Sequence, residues 1–204
     1  MPITPIADPE IIPLRVGAGG QVPNNPKYPA VLARKALGGP NDDGAVRALM
    51  ARNGWGATWT WRVFDYHHFH PDAFEALAVA QGSATLMLGG PQGQTIEVEA
   101  GDVMILPPGF GHCQIAMRDG FQICGAYPPG QENYTVVRGS DGYDDRMLAQ
   151  IAAVPPPSTD PIWGARGQLL RALLGAEPCP PRDLHLKRAA LRRAEIQVRA
   201  RRKW

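Results

Sequence analysis

Three of the chain's five histidines, His67, His68 and His70, fall within four residues, and Glu75 follows five residues after His70. Side chains on a strand alternate between faces, so His68 and His70 share one face and His67 points the other way. Pro71 and Asp72 break this segment, and Glu75 opens the next, "EALAVAQ". If the two segments are antiparallel neighbours, two imidazoles and one carboxylate meet as a facial set of metal ligands. Such a set leaves coordination positions open for substrate, water or oxygen. A further donor, His112, follows the Gly/Pro turn of "GDVMILPPGFGH". A lone histidine on a strand is usually an ordinary polar side chain, and an isolated His-X-His pair has the same rival reading. The pair, the carboxylate and His112 together point instead to one metal centre on His68, His70, Glu75 and His112.

The flanking residues follow from the same alternation. Tyr66 shares the face of His68 if no bulge intervenes, and Gln114 shares that of His112, so both are expected to line a substrate pocket. Gln114 is equally well read as a core residue. His67, on the opposite face, either supports a ligand from behind or simply meets solvent. Cys113 faces away from His112 and is read as structural. Arg62 reaches the inner face only if its strand runs straight from residue 60; there it would suit a carboxylate substrate. Glu75 is a possible catalytic base as well as a ligand.

These side chains need a scaffold of strands. From Ala57 onward, short segments rich in Val, Ile, Thr and aromatics follow one another, from "ATWTWRVF" through "SATLMLGG" and "FQICGAYPPG" to "NYTVVRG", each broken by Gly, Pro or Asp-Gly. That rhythm predicts an all-β sandwich or barrel, without the strand–helix alternation of a parallel sheet. Residues 1–40 read as an irregular arm. "PNDDGAVRALMARNGWG" reads as a helix capped by Asn41 or Asp42, with Ala45, Leu49 and Met50 as its apolar stripe and Gly54 or Gly56 at its end. "DDRMLAQIAAV" and "ARGQLLRALLGA" read as two more helices. The expected organisation is an N-terminal arm and helix packing on the barrel (1–56), a barrel core (57–140), a C-terminal helical segment (141–176) and a basic tail (177–204).

The charge is divided between body and tail. Of 21 basic and 19 acidic residues, nine basic and two acidic lie from Arg182 onward, leaving 12 and 17 before it, a net of −5 for 1–181. A nucleic-acid footprint is therefore not expected on the body. The tail is read as a solvated or frayed helix, with a tether to an acidic partner or nucleic acid as its alternative. No apolar run approaches the ~20 residues that span a bilayer, so no membrane association is expected. Neither a secretory signal nor paired cysteine spacing is seen, and Cys113, Cys124 and Cys179 read as free thiols of a cytoplasmic protein.

The motif His68-Phe69-His70, four residues, Glu75, six residues, Gly82 resembles the first motif of the cupin superfamily. Gly101, five residues, Pro107, one residue, Gly109, two residues, His112 resembles the second. The flanks "NNPKYPAVL", "YHHFH", "MLGG", "GAYPPGQ" and "VPPPSTDPIWGARGQLL" are similar to the YjlB-like branch, over about residues 22–173. Two positions depart from the pattern: Arg62 stands where the first motif usually opens with Gly, and Ala116 where the second often ends in Asn. Neither is a ligand position. The resemblance implies a double-stranded β-helix, a jelly-roll barrel with flanking helices. It also implies one divalent metal ion, Fe, Mn, Ni, Co or Zn, on His68, His70, Glu75 and His112, and a homodimer. Cupins host many reactions, so the fold alone does not name one. The leading expectation is a metal-dependent enzyme on a small organic substrate, oxygenase ahead of isomerase. The alternative is a non-catalytic cupin that binds or senses a small molecule.

Overall fold

The computed structural model describes residues 3–39, 42–165 and 167–175. The basic tail, with Cys179, lies outside the described residues. In chain order the strands are β1 (Thr4–Pro5), β2 (Glu10–Leu14), β3 (Ala30–Arg34), β4 (Leu37–Gly38), β5 (Gly56–Trp61), β6 (His68–Phe69), β7 (Glu75–Leu88), β8 (Gln94–Glu99), β9 (Val103–Leu106), β10 (His112–Tyr127) and β11 (Val137–Arg138). The α-helices are α1 (Asp43–Arg52), α2 (Asp145–Ala153) and α3 (Gln168–Leu173). No helix among the described residues is long and apolar enough to cross a membrane.

All the ladders are antiparallel. The main sheet runs β11-β6-β10-β7-β9-β3-β2, with β5 joined to β10 and β8 to β7. The expected all-β jelly-roll barrel with flanking helices is the fold observed. Residues 3–39 are less irregular than the sequence of this arm suggests. β3 pairs with β9 and carries β2 on its other edge, so this arm extends the sheet as well as packing on it.

The barrel is organised by two long strands. The sequence pattern suggests breaks at Gly82 and at Asp119-Gly120, yet β7 and β10 run through both. They bend there instead, and their register shifts between Arg118 and Gln122. Before the bend, Leu77 and Val79 face the inner core while Ala76, Ala78 and Ala80 face an outer one; after it, Ala84, Leu86 and Leu88 face inward. The inward parity has switched from odd to even. Gly82 permits this with φ +66°, and a Cβ there would stand 2.5 Å from Arg118 O. Glu75, odd-numbered and before the bend, therefore points inward with Leu77.

The outer core lies under α1 and α3, where small alanines on β7 leave room for Val46, Leu49, Met50, Trp55 and Leu169. Helix α1 begins as expected: the Asp42 carboxylate accepts the Ala45 N–H at 2.9 Å. Its buried stripe is Val46, Leu49 and Met50 rather than one through Ala45, which is only partly buried. Gly54, at φ +87°, ends it by donating its N–H to Ala51 O.

Candidate metal centre

The four predicted ligands arrive by different routes. His68 lies on β6, directly opposite His112 at the start of β10. His70 follows β6 just past its end, and Glu75 opens β7. The condition set from the sequence, that the His68 and Glu75 segments be antiparallel neighbours, is not met, because β10 lies between β6 and β7. Glu75 instead reaches the histidines through the short turn 71–74, where the Phe74 N–H donates to Gln131 Oε1 at 2.8 Å. All four side chains are buried, none more than 5% exposed.

Their atoms converge. Among the described residues, His68, His70 and His112 each offer a ring nitrogen lying within 4.8 Å of the others. Glu75 Oε2 stands 3.4 Å from His70 Nε2 and 3.3 Å from His112 Nε2. Each imidazole turns its Nδ1 to a backbone carbonyl: His68 to Tyr66 O at 3.2 Å, His70 to Thr135 O at 2.8 Å and His112 to Phe110 O at 3.1 Å. A carbonyl only accepts, so each neutral ring carries its proton on Nδ1 and presents its Nε2 lone pair to the cavity. This is how proteins orient histidines towards a metal. The Asp72 carboxylate accepts the Thr135 N–H and hydroxyl, holding the carbonyl that orients His70.

The site also contains unmet polar atoms. His70 Nε2 and Glu75 Oε2 are buried and have no hydrogen-bond partner among the described residues. Leaving such a group unmet costs about 1–3 kcal/mol, and one cation between them would satisfy both. The donor set, imidazole with a carboxylate, therefore fits a borderline divalent ion.

The electrostatics match this reading. Burial, reinforced by His112, pushes His68 down to about 2, so it is neutral at any ordinary pH. Burial alone would lower His70, but the Glu75 charge and contact, with the Thr135 carbonyl, hold it above its usual value. Burial would likewise raise Glu75, but His70 and His112 hold it well below the carboxylate range. Without a cation, Glu75 and protonated His70 balance each other. The Glu75 contribution to stability is present above its ordinary value of 4.5 and is lost as pH falls through the depressed one. That of His70 is present below 6.5 and is lost as pH rises through the raised one. The pair thus supports the metal-free protein most between these values. A cation must displace the His70 proton, so metal affinity should rise about tenfold per pH unit and level off above the raised His70 value. Chelator-competition titrations on both sides of 6.5 would test this; a flat profile would show that no proton is displaced.

Above the cluster opens a cavity of about 220 Å³. Its walls are mostly apolar and aromatic, with Trp59, Trp61, Phe64, Tyr127 and Tyr134 prominent. Neither Tyr66 nor Gln114, expected to line a pocket, is among the lining residues. The chain between the end of β5 at Trp61 and the start of β6 at His68 is not a strand, so alternation does not carry from Tyr66 to His68. Tyr66 opens onto a separate surface hollow with His67, Arg138 and Gln21, and the Arg138 guanidinium lies 3.8 Å from its ring centroid. The Phe64 loop crosses β10 where the Gln114 N–H donates to Phe64 O at 2.8 Å, and the Phe64 side chain lines the cavity there. His67 and Cys113 stand 3.7 Å apart, Nε2 to Sγ, outside the lining. Burial raises the Cys113 thiol, which therefore stays protonated and unreactive. Arg62 does line the cavity, from an exposed position just after β5.

One important neighbour was not foreseen. The Tyr127 hydroxyl donates to Glu75 Oε1 at 2.6 Å, so that oxygen is held and Oε2 is left for the histidines. Burial and the Glu75 charge raise the Tyr127 hydroxyl far above its usual value, keeping it a donor. Its ring stacks on Tyr134, with centroids 3.8 Å apart. The signal was present in "FQICGAY": period-2 counting puts Phe121, Ile123, Gly125 and Tyr127 on one face, and Phe121 and Ile123 belong to the inner core. Gly125 on that face leaves the space that the Trp59 indole fills.

Comparison with known proteins places this geometry in context. The family model described as Cupin matches residues 66–146. The uncharacterized protein YjlB of Bacillus subtilis (strain 168) is 34% identical over 151 residues, which is 74% of this chain and 89% of that protein. Among solved structures, an acireductone dioxygenase from Bacillus anthracis with a cadmium ion in its active centre shares 19% identity, over 44% of this chain and 60% of that one, with a TM-score of 0.32. The WlaRB TDP-quinovose 3,4-ketoisomerase from Campylobacter jejuni shares 14% identity, over 45% of this chain and 73% of that one, with a TM-score of 0.34. The chain thus spans less than two thirds of the length of the dioxygenase.

Proposed function

The chain belongs to the cupin family, in its YjlB-like branch, and from that premise we propose that it is a metal-dependent enzyme acting on a small organic substrate. His68, His70, His112 and Glu75 would hold one divalent ion, Fe, Mn, Ni, Co or Zn, which mixed imidazole–carboxylate donors accept. The observation that carries this reading is the set of three carbonyls that fix Nδ1–H on His68, His70 and His112 and turn three lone pairs inward. When bound, the ion supplies Lewis acidity and, if redox-active, one-electron chemistry.

The protein's own groups do the remaining work. Tyr127 holds Glu75 by one oxygen and leaves the other for the site. Glu75 is a weak base here, since its pKa is depressed and one oxygen already accepts a hydrogen bond. That favours a ligand role over a catalytic base. The apolar and aromatic walls lower the local dielectric around the buried cluster, which strengthens electrostatic interactions there. Among the described lining residues outside the ligand set, the polar groups are the Trp59 and Trp61 indoles, Tyr127, Tyr134 and Arg62, with no further histidine, carboxylate or lysine. Isomerisation needs a general base and the lining offers no dedicated histidine, carboxylate or lysine for it outside the ligand set, which favours oxygenase chemistry. The same shortage supports the second reading, a cupin that binds a small molecule without turning it over.

Anaerobic reconstitution of the metal-free protein with Fe(II), followed by oxygen and a panel of diketones, thiols and catechols, separates these readings. Oxygen uptake coupled to loss of one compound is the expected result. Metal uptake without turnover under any metal would favour the binding module.

A further inference from the structure

The cavity walls describe a ligand more narrowly than the metal cluster does. At about 220 Å³ the space is too small for a nucleotide or a sugar nucleotide. An apolar cavity of about 150 Å³ takes a benzene molecule, so this one accommodates a ring with a short side arm. Val63, Leu77, Val136 and the indole of Trp59 offer it apolar contact. The polar groups lie at the two ends. The inner end is the buried histidine–carboxylate cluster. At the outer end stands Arg62, exposed and lining both this cavity and the adjoining shallow hollow, which places it on the rim between them. Beside it Trp61, a large apolar side chain, is 57% exposed.

Arg62 differs from the chain's structural cations. Arg34, Arg47 and Arg118 each pair with a carboxylate, and Arg138 lies over Tyr66. Arg62 has no ion-pair partner among the described residues. Glu75 is the single acid among the described lining residues; one of its oxygens accepts from Tyr127 and the other faces His70 and His112. The lining therefore presents one unneutralised positive charge, at its mouth, with a fork geometry suited to a carboxylate.

We infer that the cavity takes a small monocarboxylic acid with a ring-sized apolar body, its carboxylate on Arg62 and its body reaching toward the histidine cluster. This rests on the proposed function only for what happens at the inner end; the Arg62 contact stands without a metal. Arg62 is thus a specificity-determining residue that selects anionic over neutral ligands.

The test is calorimetric titration of the full-length chain, metal-free and Zn(II)-loaded, with 3-phenylpropionate and its neutral isostere 3-phenylpropanamide. The acid is expected to bind about tenfold tighter than the amide, a difference of ~1.4 kcal/mol. Added salt should erode that preference, because Arg62 is exposed. R62M should weaken the acid about tenfold to the level of the amide, with R62K restoring part of the difference. Zn(II) uptake by R62M, measured in parallel, reports that the variant is folded. Equal binding of acid and amide, persistence of the preference in R62M, or no binding of the acid would each overturn the inference. Failure of Zn(II) uptake by the wild-type chain would sink the metal centre instead, and the metal-free titration distinguishes the two.

Discussion

Replacing His112 with alanine is expected to abolish metal uptake while leaving the protein folded. His112 Nε2 stands 3.3 Å from Glu75 Oε2, and its side chain offers one of the three clustered ring nitrogens. Its backbone registers opposite His68 on one side and Leu88 on the other. Loss of a group that merely orients a ligand weakens metal binding by about 10- to 100-fold, and loss of the ligand itself should exceed that range. Metal analysis of protein purified with and without added metal reads the result. H70A should behave alike. Y127F, which frees Glu75 Oε1 but removes no ligand, should fall within the orienting range. Wild-type metal content in H112A would show that the cluster is not the metal centre.

The second large effect concerns the scaffold. G82A is expected to destabilise the barrel by about 3 kcal/mol, combining left-handed backbone strain with a clash in a packed site. Gly82 has φ +66°, and an added Cβ would meet Arg118 O at 2.5 Å and Phe121 N at 2.7 Å. Both are backbone atoms of β10, so no flexible side chain can give way. The residue sits where β7 switches its inward parity, between Leu77 and Val79 on one arm and Leu86 and Leu88 on the other. Without the bend, one arm would turn its leucines outward. Thermal unfolding should register the change as a drop on the order of 10 °C. G120A makes a useful comparison: Gly120 also has positive φ, at +68°, but its nearest neighbour is the Gln81 side chain. That amide can move, so the loss in G120A should be smaller. Equal stability of G82A and wild type would refute the role given to the bend.

Much of the candidate centre was legible because donor chemistry is local. His68, His70 and Glu75 lie within eight residues, and their types alone restrict what they can bind. His112 was legible through its Gly/Pro turn. Tyr66 was misplaced because alternation was carried across a segment that is not a strand. Tyr127 went unseen because it meets Glu75 from 52 residues away, and the sequence does not state which strands become neighbours.

By itself the sequence determined the donor types, their spacing, the strand-rich body and the division of charge between body and tail. These are properties of short stretches, where side-chain chemistry and the two-residue strand period act directly. Tertiary structure alone decided that β10 inserts between β6 and β7, that Tyr127 holds one Glu75 oxygen, and that three carbonyls set the histidine tautomers. It also decided that Arg62 reaches the cavity rim. Strand order and bends depend on burying the inner and outer cores together, a condition on the whole chain that no single segment expresses.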